Sequence, residues 1–152
     1  MNQPTLSSLY QQLILEHYRK PRNRAELPEH TVEVRMNNPV CGDEIKLQLR
    51  IDGDEISEAK FDGHGCSISQ ASVSMMTVKL EGAKLSEADD LITKFVSMMH
   101  GDEAVTRDRS LGDLRALQGV SKFPVRIKCA LLGFDALQEA LRQSRLEAAG
   151  AH

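Results

Sequence analysis

The chain has 152 residues, 41% of them hydrophobic, three cysteines and a formal net charge of −3. That length suits one domain able to bury most of its apolar surface, so a single unit over 1–152 is expected. The mildly acidic balance supplies no basic field for nucleic acid, and the longest apolar runs are far too short to span a bilayer, so neither is expected as a partner.

Leu6, Leu9, Tyr10, Leu13, Ile14 and Tyr18 repeat at three and four positions, the pattern of an amphipathic helix that Pro21 ends. Val32–Met36, then Ile45, Leu47, Leu49 and Ile51 alternating with polar residues, then Ile56–Phe61, predict three strands. Asp52-Gly53-Asp54 offers a tight hairpin between the second and third, which makes an antiparallel meander. After Cys66 the spacing becomes helical. Ser67 with Gln70 resembles a capping box that leaves Cys66 just outside a helix N-terminus, and Gly82 closes that helix near Glu81.

Ser86 with Asp89 predicts the start of another helix, carrying Leu91, Ile92, Phe95, Val96 and Met99 as far as Gly101. From Gly101 to Ser121 the polar composition predicts a long loop with a short helical stretch around Leu114–Leu117. Pro124 opens a last helix with Ile127, Ala130, Leu131, Phe134, Leu137 and Leu141, its early turns holding Cys129 and its Ala/Gly tail frayed. Helix, three strands, then helices predict an α+β domain: a three-stranded antiparallel sheet with helices packed on one face. Met75, Met76, Met98 and Met99 are assigned to the core.

No basic stretch, apolar core and small-residue cleavage site combine near residue 1, so a reducing cytoplasm is expected, where thiols stay free or hold metal. An odd cysteine count also argues against a disulfide framework. The three lie in Asn38-Pro39-Val40-Cys41-Gly42-Asp43, Gly63-His64-Gly65-Cys66 and Arg126-Ile127-Lys128-Cys129. The hairpin places Cys41 and Asp43 beside Cys66, and the last helix is required to dock Cys129 at the same sheet edge. Three thiolates and one carboxylate suit either a tetrahedral Zn²⁺ or an iron-sulfur cluster with one oxygen ligand. A hard carboxylate holds a soft cluster weakly, so the site reads as exchangeable in either case. The same thiolates are nucleophiles fit for sulfur transfer from a persulfide.

Other residues stand as candidates beside these four. His64, between two glycines, is a substitute ligand for Asp43, against its reading as an exposed loop histidine. Arg126, one turn before Cys129, is placed to contact Asp43 or a partner's carboxylate. His17, His30 and His100 lack ligand-like neighbours and are expected at the surface. Gly63-His64-Gly65 has no following Gly-Lys-Ser/Thr and is not read as a phosphate loop.

At the three cysteine motifs, with Ser67-Ile68-Ser69-Gln70-Ala71-Ser72 and Ser74-Met75-Met76, the chain resembles the IscU/NifU N-terminal family of iron-sulfur assembly proteins. Within it the chain is most similar to the SufU branch. Lys128 stands where typical IscU scaffolds carry histidine, and Lys122-Phe123-Pro124-Val125-Arg126 replaces their Leu-Pro-Pro-Val-Lys segment. Leu111-Gly112-Asp113-Leu114 and Ala116–Val120 resemble the SufU insertion. The resemblance implies a SufE/NifU-like fold and a zinc-bound acceptor of persulfide sulfur from a SufS-type cysteine desulfurase. It would pass that sulfur toward downstream cluster assembly or acceptor proteins. Zinc would be held by Cys41, Asp43, Cys66 and Cys129, with Cys41 taking the sulfur. The alternative is a scaffold for a transient [2Fe-2S] cluster.

Overall fold

The computed structural model describes residues 5–150. Helix α1 (Leu6–Arg19) is followed by strands β1 (Val32–Asn38), β2 (Asp43–Asp52) and β3 (Glu55–His64). Helices α2 (Ser67–Leu80) and α3 (Leu85–Met99), two 3₁₀ segments (Val105–Arg107 and Arg109–Lys122) and the 27-residue α4 (Pro124–Gly150) complete the chain. The strands form one antiparallel sheet in the order β1-β2-β3, as the alternation of residues 45–51 predicts.

Ile45, Leu47, Leu49, Ile56 and Phe61 point to one face and are fully buried there beneath α2 and α4. The opposite face is crossed by the connector between α1 and β1. Ala25 N–H donates to Phe61 O, and Leu27, itself buried, donates its N–H to the side-chain carbonyl of buried Gln48 at 2.8 Å. A polar residue on the outer face thereby finds its partner in the loop that covers it. On the helical side Phe95 of α3 stacks on Phe134 of α4 with ring centroids 4.2 Å apart, and the four methionines assigned to the core are buried. Among the described residues no helix is long and apolar enough to cross a membrane.

Four expectations need correction. The stretch from Gly101 to Ser121 is not a long loop: Leu111, Leu114, Leu117 and Val120 recur every third residue, the period of a 3₁₀ helix, and all four are buried. Gly112 kinks the segment at its start. His17 is buried, not superficial. Its ring is hydrogen-bonded to Ser74 Oγ at 2.8 Å and to Asp113 Oδ2 at 2.9 Å. The phase of α1 explains this, since position 17 follows Tyr10, Leu13 and Ile14 on the face turned inward, while Leu6, Leu9 and Tyr18 stay largely exposed.

Helix α3 begins two residues early, with Glu87 rather than Asp89 turned back to its start: the Lys84 N–H donates to Glu87 Oε1 at 2.9 Å. Finally, α4 remains helical through Gly150 instead of fraying, the last two residues of its Ala/Gly tail lying outside the described part.

If the Arg109–Lys122 segment is core, truncating its fully buried Leu114 has the cost of a cavity. Leu114→Ala is expected to lower unfolding stability by about 2–5 kcal/mol in urea titrations. A loss under about 0.5 kcal/mol would return the segment to a surface loop.

Candidate metal centre

The turn between β1 and β2 is shaped by Asn38. Its carbonyl accepts from the N–H groups of Cys41 and Gly42 at 3.2 and 2.8 Å, and its side-chain oxygen accepts from Val40 N at 3.2 Å. Gly42 adopts a φ of +71°, which closes the turn and returns the chain into β2 at Asp43. Cys41 is left half-buried at the tip, beside Val40, which is 84% exposed.

On the neighbouring strand Glu44 pairs with His64, so the end of β3 delivers Cys66 to the start of β2. Cys66 is itself the N-cap of α2, its sulfur accepting from Ser69 N at 3.5 Å. Ser67 is therefore the first helical residue rather than the cap, and the predicted Ser67/Gln70 box gives way to a thiol cap.

Asp43 is 1% exposed. Its Oδ1 accepts from Cys66 N at 2.8 Å, and the partner of Oδ2 is the Cys66 thiol at 3.7 Å. Among the described residues no basic side chain forms an ion pair with it. A buried carboxylate so weakly compensated is costly unless a cation sits against it.

The fourth residue arrives on α4. Ser72 Oγ of α2 donates to Ala130 O at 2.7 Å, and Gly133 lies so close to Val73 that an added Cβ would stand 3.1 Å from the valine Cβ. This tight α2–α4 contact sets Cys129, 1% exposed, against the turn, with its sulfur 3.4 Å from that of Cys41. Burial pushes the Cys129 thiol far above its usual range, and hydrogen bonds to Cys41 and Asp43 push it the same way.

Donor atoms of Cys41, Asp43 and Cys129 all lie within 4.8 Å of one another. Cys66 stands outside that group and joins it through its two contacts with Asp43. In a tetrahedral zinc site with Zn–S near 2.3 Å, two sulfurs are about 3.8 Å apart and a sulfur and a carboxylate oxygen about 3.5 Å. The spacings of 3.4 Å for Cys41–Cys129 and 3.7 Å for Cys66–Asp43 are close to these values, so the donor set fits a divalent ion of this size.

The other two candidates lie apart. The His64 side chain is 71% exposed and bonded to Glu44 at 3.1 Å, and Arg126 is exposed and makes no ion pair with Asp43. Lys122, Arg126 and Lys128 are all exposed on the approach to Cys129, with Phe123 and Val125 exposed between them.

Two residues essential to this geometry escaped the motif reading. A Cβ on Gly65 would lie 2.2 Å from Asp43 Oδ1 and 2.9 Å from its Cα, and one on Gly63 would lie 2.1 Å from Glu44 O. The pair Gly63 and Gly65 serves close approach of β3 to β2, a signal present in the Gly-His-Gly-Cys spacing itself. Gly65→Ala, with its φ of +146° and this overlap, is expected to cost at least about 2 kcal/mol more than Gly42→Ala, whose Cβ would meet open space. Urea midpoints measure the difference, and an NMR shift of the Cys66 amide reports loss of its bond to Asp43. Equal costs would show that Gly65 does not position the carboxylate.

Comparison with known proteins places this arrangement. The model of the NifU-like N terminal domain matches residues 9–130. The zinc-dependent sulfurtransferase SufU of Bacillus subtilis is 49% identical over 136 residues, covering 90% of this chain and 91% of that one. The iron-sulfur cluster assembly scaffold protein IscU of Streptococcus pyogenes is 40% identical over 139 residues, covering 91% and 86%. The crystal structure of FiSufU from Fervidobacterium islandicum aligns with a TM-score of 0.80 at 31% identity, covering 90% of this chain and 99% of that one. The chain therefore belongs to the NifU-like N-terminal domain family, which includes the SufU and IscU proteins.

Proposed function

We propose that this protein is a zinc-bound sulfur acceptor in iron-sulfur cluster biogenesis, acting as one domain over 1–152 in the cytoplasm. Its partner is a cysteine desulfurase of the SufS type, and it hands sulfur on to downstream cluster assembly or acceptor proteins. One observation carries the reading: three thiols and a buried carboxylate with no ion-pair partner among the described residues meet at one sheet edge, with Cys41 half-buried at the tip of its turn. Identity of 49% to a protein named as a zinc-dependent sulfurtransferase supports it.

In this reading Cys41, Asp43, Cys66 and Cys129 hold the zinc. When bound, zinc holds coordinating thiols as thiolates at neutral pH. The chain's own residues do the rest. The Cys66 N–H fixes the orientation of Asp43, the Ser69 N–H at the start of α2 holds the Cys66 sulfur, and the Asn38 turn presents Cys41 outward. The Cys41 thiolate attacks the terminal sulfur of the desulfurase persulfide. That S–S bond breaks, the desulfurase cysteine leaves as a thiolate, and Cys41 carries the persulfide. Exposed Lys122, Arg126 and Lys128 flank the approach and suit an acidic docking surface on the partner, with Arg126 three residues before Cys129. His64, out on Glu44, is left without a part in binding the metal.

The second reading, a scaffold on which a transient [2Fe-2S] cluster is built, is supported by the 40% identity to a protein named as a scaffold. Metal analysis of protein purified without oxygen, beside Asp43→Ala, separates the two. The acceptor reading predicts about one zinc per chain, no visible colour in either sample, and zinc affinity weakened roughly tenfold or more in the variant. Iron with acid-labile sulfide, retained better by Asp43→Ala, would select the scaffold instead.

A further inference from the structure

Cys41 and Cys129 differ in one respect that metal binding does not require. Cys41 is half-buried at the tip of the turn, while Cys129 sits behind it, 1% exposed, with the two sulfurs 3.4 Å apart. Reacting atoms separated by 3–3.5 Å are already at near-attack distance. Cys66, the other half-buried thiol, is engaged elsewhere, with Asp43 on one side and Ser69 N on the other.

The geometry points to Cys129 as a resolving thiol for Cys41, making the pair a reversible oxidation site for hydroperoxides when no metal holds the sulfurs. The peroxide oxidises the Cys41 thiol to a sulfenic acid and leaves as water. Cys129 then attacks the Cys41 sulfur from the buried side. The S–O bond breaks toward solvent, the Cys41–Cys129 S–S bond forms, and the Cys129 proton departs with the hydroxyl as a second water. Two thiols and one peroxide thus become one disulfide and two waters, and an external dithiol restores the thiols. Cys41 is thereby kept from the irreversible sulfinic and sulfonic states. The step does not require that Cys41 accept sulfur, so it stands apart from the reading above.

Chain statistics make the test decisive. Cys41 is 25 positions from Cys66 but 88 from Cys129, so loop closure in an unfolded chain favours the 41–66 link by roughly sixfold. The full chain is treated with chelator and one equivalent of hydrogen peroxide, its free thiols are alkylated, and it is digested without reduction for mass spectrometry. The expected result is a 41–129 linked peptide as the main product with Cys66 alkylated, unchanged in Cys66→Ser. In Cys129→Ser the link is absent, Cys41 is left as the sulfenic acid, and a second equivalent of peroxide advances it to sulfinic acid. The same treatment in urea is expected to reverse the order toward 41–66. A main 41–66 link without urea, or Cys41 overoxidised beside an alkylated Cys129 in the unmutated chain, would overturn the proposal.

Discussion

The hydrogen bond from the Cys66 N–H to the buried Asp43 carboxylate, 2.8 Å long, is the constraint on which the rest of the site hangs. It fastens the start of β2 to the N-cap of α2, across the point where β3 ends. Only a chain without a Cβ at Gly65 can pass this close to the carboxylate. Once Asp43 is held there, its second oxygen has no N–H partner, and the thiols of Cys66, Cys41 and Cys129 are gathered around it. One local turn, at Asn38, and one long-range contact, the Ser72 bond to Ala130, decide where Cys41 and Cys129 stand.

This division separates stability from chemistry. The sheet face carrying Ile45, Leu47, Leu49 and Phe61 is buried by α2 and α4, and that apolar contact fixes the position of α4 without calling on the thiols. The sulfurs can then differ in exposure, one at the rim and one 1% exposed behind it. A structural zinc module has no need of that asymmetry. A centre whose outer thiol must meet a partner's sulfur does.

Much of this was legible in the sequence. Alternation over residues 45–51 fixed the strand faces, and the hairpin then implied the meeting of Asp43 with Cys66, which the register pairing Glu44 with His64 realises. What escaped had other causes. The Arg109–Lys122 segment reads as a loop in sequence because its apolar residues follow a period of three, not the 3.6 or two that mark helices and strands. His17 was judged by its neighbours in sequence rather than by its phase on α1, and its partners Ser74 and Asp113 are 57 and 96 residues away. The capping role of Cys66 was hidden because Ser67 offers a commoner N-cap one position later. The glycines beside His64 read in sequence as residues that bend or expose the backbone, and not as a phosphate loop, whereas their close approach to Glu44 O and the Asp43 carboxylate is a contact with residues about twenty positions away.

In the proposed function sulfur arrives at Cys41. The most direct measurement is intact and peptide mass spectrometry of the protein after one turnover with a SufS-type desulfurase and cysteine, in the absence of added thiol. The expected result is a mass gain of one sulfur atom localised to Cys41 and lost in Cys41→Ala. Sulfur found on Cys66 or Cys129 while Cys41 stays unmodified would contradict it.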